Sequence, residues 1–255
     1  MLDATAFVGR WPFYPAAAGD GRGLLAMMDR LGIERALVSP LNAVLYKDPD
    51  EGNEELWREV SLAPDRLLPV PCLNPTYPGW PAALERCIAA GARGIRLHPN
   101  YHCYAVNGAA AKDLACACAE SGLFLALTLR LQDERQHHPR AMVPAVKVGE
   151  AAELVGYSPP KTRFLISMAR PAEMVALAGA AGARRHLWFD TAGVQGPENV
   201  WERLTQAGLG NRLLFGTAWP LQYEAVAVAK ATSMAMAEPL REGLLGGNWE
   251  NLLRA

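Results

Sequence analysis

The sequence predicts a (β/α)8 barrel. Three observations carry that expectation: short apolar runs alternate with amphipathic stretches along the whole chain, the runs number eight, and the length of 255 residues suits one such barrel. One domain over 1–255 is expected, because no linker, internal repeat or low-complexity tract breaks the alternation.

Taken in order, strands are expected over 2–8, 35–39, 67–72, 93–98, 123–130, 163–168, 186–190 and 212–217. Each run ends in polar residues, Gly or Pro. The intervening segments read as helices, as in 53–60 and 171–178, the second opening with Pro171 where a missing N–H costs nothing. Gly32, Gly91 and Gly182 stand at corners before the next strand, which suits left-handed helix caps. The longest irregular stretches, near 9–20, 99–109 and 131–143, follow strands 1, 4 and 5. They fall at the C-terminal ends of strands, the face on which barrels build their sites.

Composition narrows the partners. With 25 Lys+Arg against 26 Asp+Glu there is no basic run for nucleic acid, and no apolar run is long enough to enter a membrane. A small molecule or a second copy of the chain is expected instead. The segment opening the chain has no basic, apolar leader, so a cytoplasmic protein is expected. Cys72, Cys87, Cys103, Cys116 and Cys118 are odd in number, which argues against a disulfide framework, and Cys116 and Cys118 diverge on a helix.

Several motifs then align. They are the strand-1 opening through Gly9-Arg10-Trp11-Pro12, Gly94-Ile95-Arg96-Leu97-His98-Pro99, Trp188-Phe189-Asp190-Thr191-Ala192-Gly193, Leu214-Phe215-Gly216-Thr217-Ala218-Trp219-Pro220, and Gly247-Asn248-Trp249-Glu250-Asn251-Leu252-Leu253. In that order and spacing the chain resembles the amidohydrolase superfamily, in its amidohydrolase-related branch of small barrels comprising hydrolases, lactonases and non-oxidative decarboxylases. The resemblance implies a zinc or manganese ion over the barrel mouth, held by two histidines of strand 1 and an aspartate of strand 8, with histidines of strands 5 and 6 binding metal or substrate. Carried over residue by residue, those places hold Thr5, Phe7, Ala218, Thr128 and Met168. None is a good ligand, so no metal and no other cofactor is expected.

What remains near the expected mouth is cationic. Alternation along a strand puts Arg96 and His98 on the inner face of strand 4, and Thr128 and Arg130 on that of strand 5. Arg170 follows strand 6. Guanidiniums bind carboxylates bidentately, so Arg96, Arg130, Thr128, Arg170 and Trp219 are the candidate substrate-binding residues for a small anion. His98 and Asp190 are the candidate general acid or base; Asp190 is also the obvious acid to pair with a mouth arginine. Trp11, Tyr101 and Tyr104 are candidate pocket walls, Asp3 a structural hydrogen-bonding group, His102, His137 and His138 solvated loop residues, and His186 structural. Two functions are expected from this set: a hydrolase of a lactone or of a C–N or C–O bond in a small carboxylate, with altered or absent metal dependence, or an inactive barrel that binds a small anion or serves as a subunit of an assembly.

Overall fold

The computed structural model describes residues 1–13, 19–182, 186–196 and 199–254. Among the described residues there are eight parallel strands: β1 (Leu2–Val8), β2 (Arg35–Pro40), β3 (Leu67–Pro69), β4 (Gly94–Leu97), β5 (Phe124–Thr128), β6 (Phe164–Ser167), β7 (Leu187–Asp190) and β8 (Leu213–Leu214). They pair consecutively in two runs, β1 to β3 and β4 to β8. Main-chain bonds close the two seams. The Arg96 N–H donates to the Pro71 carbonyl at 2.8 Å between β3 and β4, and the Ala4 N–H donates to the Phe215 carbonyl at 2.8 Å between β8 and β1.

All eight expected strands form, but β3, β5 and β8 are shorter than their apolar runs. Pro69 and Pro71 have no N–H to donate, so the β3 ladder stops and resumes as a lone bridge between Cys72 and Arg96. After β8 the Phe215 N–H turns to the Leu244 carbonyl, and the chain leaves the ladder. Helices α1 (Gly21–Leu31), α2 (Asp50–Val60), α3 (Trp80–Ala89), α4 (Ala109–Glu120), α5 (Val148–Tyr157), α6 (Pro171–Ala180), α7 (Val200–Gln206) and α8 (Glu224–Ser233) surround the barrel, and short α9 (Glu238–Glu242) and α10 (Trp249–Leu253) end the chain. Gly32, Gly91 and Gly182 take the left-handed conformation expected of them. Of the irregular stretch expected at 9–20, residues 14–18 lie outside the described residues.

The lumen is filled in three layers. The lowest is apolar: Ala4, Leu37, Leu68, Phe124, Ala126, Leu165, Trp188 and Leu214 meet Trp249 and Leu252 of α10, which plugs the bottom. Gly94 is required here, because a Cβ would lie 2.5 Å from the Phe124 ring. The middle layer is polar and fully buried, with Thr5, Ser39, Arg96, Ser167 and Asp190. The top is apolar again, and that layer decides what the mouth can do. No described helix is long and apolar enough to cross a membrane.

Candidate functional site

The middle layer is organised around Arg96. Its side chain is wholly buried: Nε donates to Ser39 Oγ at 2.7 Å, and Nη1 donates to Thr128 Oγ1 at 3.0 Å and Ser167 Oγ at 2.9 Å. Nη2 has no partner. The guanidinium also lies 5.2 Å from the Phe7 ring centroid, a cation–π contact. Burial lowers its pKa to about 10, which leaves it charged at neutral pH.

Asp190, across the lumen, is not the direct partner expected for an arginine. Its Oδ2 accepts from Thr5 Oγ1 at 2.5 Å, and its Oδ1 accepts the Met168 and Ala192 N–H groups, each at 3.1 Å. With these three donors the carboxylate holds the Thr5 hydroxyl and the Met168 and Ala192 backbone in place. Thr5 Oγ1 lies 3.4 Å from Ser167 Oγ, which completes a hydroxyl path from Arg96 to Asp190.

Arg130 also has an acid, though not Asp190. It forms a bidentate pair with Glu173 in the first turn of α6 and donates to the Met168 carbonyl at 2.9 Å. Glu173 additionally accepts the Arg170 N–H at 2.8 Å. Pro171 at the first helical position with Glu173 in the first turn is a helix-start signature, and it was the available clue to this partner. Arg170 itself sits at the rim, 44% exposed and 3.8 Å from Asp133. Trp219 does not wall the mouth. Ala218 turns the chain in a left-handed conformation, and Trp219 is buried in the layer between strands and helices.

The mouth is lined by an apolar cluster of Phe7, Trp11, Leu41, Val44, Leu131, Met168, Ala192, Ala218 and Leu221, with Tyr101 and Phe13 packed against it. Thus Phe7, Met168 and Ala218, three of the places where the resemblance implies metal ligands, lie in one cluster. The Ala218 N–H donates to the Thr5 carbonyl at 2.8 Å, which puts the strand-1 and strand-8 places side by side. Met168 and Ala218 keep φ of 62° and 52°, an uncommon conformation for residues with a Cβ. Gly193 permits the first of these turns, since a Cβ there would stand 2.5 Å from the Met168 and Ala169 backbone.

These residues do not fit a zinc or manganese ion. The Thr5 hydroxyl is engaged by Asp190, the Phe7 and Ala218 side chains have no donor atom, and the Met168 thioether is a soft ligand poorly matched to manganese. Among the described residues no group of three or more His, Cys, Asp or Glu side chains could hold a metal.

Beside Arg96, His98 is 1% exposed, and neither of its ring nitrogens has a partner. Burial, with His102 and Arg96 nearby, holds its pKa well below 6.5, so the ring is neutral. His102 is not the solvated loop residue its position suggested. Its ring centroid lies 6.3 Å from that of His98, and Nε2 is 3.0 Å from the Ala43 carbonyl oxygen. Sequence offered no signal for this contact, because it joins the loop after β4 to the turn after β2. His138 stacks on Phe13 at 5.6 Å, and His186 lies 6.0 Å from Trp188 at the barrel bottom. Asp3 bridges β1 and the segment after β8, accepting from the Thr5 and Thr217 N–H groups and from Thr217 Oγ1 at 2.6 Å. All five cysteines are free thiols.

Comparison with known proteins places this arrangement. A probable 2-pyrone-4,6-dicarboxylic acid hydrolase from Acinetobacter baumannii superposes with a TM-score of 0.72 at 13% identity, over 99% of this chain and 98% of that one. The 5-carboxyvanillate decarboxylase of Sphingomonas paucimobilis gives 0.73 at 16% identity, over 99% and 98%. A dihydroxybenzoic acid decarboxylase from Polaromonas sp. JS666, solved with manganese and 2-nitroresorcinol, gives 0.65 at 19% identity, over 91% and 86%. At such identities these structures speak for the barrel fold. No curated protein matches the sequence. The amidohydrolase family model matches residues 6–254, nearly the whole chain, so the chain belongs to the amidohydrolase family.

Proposed function

We propose that this barrel does not use the metal-activated water of its family and instead holds a small anionic molecule at the mouth, next to Arg96. The observation that carries this reading is the replacement of a ligand set by Phe7, Met168 and Ala218, packed into an apolar cluster directly above a buried guanidinium with one unpartnered nitrogen. A buried cation next to apolar walls favours a carboxylate or similar anion over a neutral ligand. Asp190, whose two oxygens already accept from Thr5, Met168 and Ala192, supports binding over hydrolysis.

Metal content of the purified protein, followed by thermal shifts with mono- and dicarboxylates, tests the reading. Stabilisation by carboxylates without stoichiometric metal and without turnover is the expected result. One equivalent of bound zinc or manganese at the mouth, or hydrolysis that depends on it, would overturn it.

One observation favours a second reading, a metal-independent hydrolase of lactones or related small carboxylates. The neutral His98 imidazole keeps an unpartnered acceptor nitrogen, which a general base needs. Lactone turnover in chelator-treated protein, lost in His98→Gln, would favour that reading over the first.

A further inference from the structure

Outside the lumen, on the face where β2 and β3 end, a cleft of about 100 Å³ lies between the first turns of α2 and α3. Leu73, Ala83 and the half-buried Trp80 form its apolar side. Asp48, Asp50, Asn74, Tyr77 and Arg86 form its polar side.

The charges there do not balance. Arg86 pairs with Asp50, which leaves Asp48 without a cation among the described residues. Asp48 Oδ1 accepts the Asp50 N–H at 3.1 Å, and the Tyr77 hydroxyl donates to the same carboxylate. Asp48 foremost, then burial, Asp50 and Glu51, raises the Tyr77 hydroxyl above its usual pKa, so the phenol stays neutral. Lys47, the nearest base in sequence, is exposed and does not line the cleft. An uncompensated carboxylate beside a phenol and an indole suits a cation. Among the described residues no group of three or more His, Cys, Asp or Glu could hold a metal ion, which leaves an organic cation.

Asn74 adds a second requirement. Its Oδ1 accepts the Thr76 N–H at 3.0 Å and the Thr76 hydroxyl at 2.8 Å, which fixes the other end of the amide as the donor Nδ2. The residue is 8% exposed and lines the cleft, and Nδ2 donates to no described group. A buried donor calls for an acceptor. A carboxylate in that place would face Asp48 and Asp50, so the acceptor is a neutral oxygen.

We propose that this cleft binds a small organic ammonium ion that also carries a neutral oxygen acceptor, as amino alcohols and amino ethers do. The charge lies between Asp48 and the Tyr77 and Trp80 rings, and the oxygen accepts from Asn74 Nδ2. The site is separate from the barrel mouth and does not rest on the reading of that mouth.

Calorimetric titration of the intact protein at low salt with butanol, butylamine and 2-methoxyethylamine tests this. Butylamine should bind about ten-fold tighter than butanol, and the ether amine several-fold tighter than butylamine. Asp48→Asn, which keeps the shape and removes the charge, should weaken both amines about ten-fold. Arg86→Gln leaves Asp50 without its cation and should instead tighten both. Asn74→Asp keeps the acceptor for Thr76 but removes the donor, so it should erase the advantage of the ether amine. Equal binding of butylamine and butanol by the unmodified protein, or amine affinity unchanged in Asp48→Asn, would overturn the cation site. Equal binding of the two amines by the unmodified protein, or an advantage that survives in Asn74→Asp, would overturn the role of Asn74. Failure of all three probes to bind would overturn the whole proposal.

Discussion

Arg96 on β4 and Asp190 on β7 lie in one buried layer and are joined through hydroxyls: Arg96 Nη1 donates to Ser167 Oγ, Ser167 Oγ lies 3.4 Å from Thr5 Oγ1, and Thr5 Oγ1 donates to Asp190 at 2.5 Å. Both side chains are wholly buried. Two opposite charges in one buried layer, spaced by hydroxyl dipoles, depend on each other for compensation.

Removing the acid therefore strands the cation. Asp190→Ala is expected to lower unfolding free energy by about 3–5 kcal/mol, the cost of leaving a buried charge uncompensated. Arg96→Met, which removes the other charge but fills much of the same volume, should cost less when combined with Asp190→Asn than Asp190→Ala does alone. Urea unfolding measures both. A loss below about 1 kcal/mol for Asp190→Ala would show that the layer does not work as a charge-balanced unit.

Arg130 and Glu173 form a second unit, with side chains 6% and 22% exposed. A double-mutant cycle between Arg130→Ala and Glu173→Ala should give a coupling of about 2 kcal/mol, at the upper end of what neighbouring charged residues show. Carboxylate affinity in Glu173→Ala should stay within a few-fold of the unmodified protein. A coupling near zero, with anion binding lost in Arg130→Ala, would return Arg130 to the ligand.

Stability should respond to pH through two groups of opposite sign. Burial raises Asp3 to about 7, so the folded state holds a proton that the unfolded chain releases near 4. Its contribution is full below about 4 and is lost as pH rises to about 7. His98 is held well below 6.5, so its penalty is absent above that value and grows as pH falls beneath it. The two slopes oppose each other through mildly acid pH. Asp3→Asn should expose the acid-side loss alone, and His98→Gln the decline toward pH 7 alone. Unfolding free energies between pH 4 and 8 that keep one slope in all three proteins would refute the assignment.

The ligand places can be refilled. Thr5→His, Phe7→His and Ala218→Asp together should create a two-histidine, one-carboxylate site, since Phe7 and Ala218 share the mouth cluster and Ala218 bonds the Thr5 carbonyl. Zinc affinity in the micromolar range or weaker is expected, because no surrounding groups orient the new imidazoles. Aspartate also tolerates the left-handed backbone at 218 better than most residues. A triple variant no better at binding zinc than the unmodified protein would sink the residue-by-residue correspondence.

Alternation of eight apolar runs with amphipathic helices, and the glycines at Gly32, Gly91 and Gly182, were enough to determine the barrel from sequence, because period and corner conformation are local properties of the chain. The altered ligand places were legible too, since Phe7 and Ala218 cannot coordinate whatever surrounds them. Which acid answers which arginine was decided only by the tertiary structure. Arg130 goes to Glu173 and Arg96 to a ring of hydroxyls, because pairing depends on which side chains the closed barrel brings within 3 Å of each other. The same holds for Trp219, turned outward by the left-handed residue before it, and for His102, whose ring meets a carbonyl 59 residues away. Contacts between loops distant in sequence leave no periodic trace, and the chemistry of this mouth is made of such contacts.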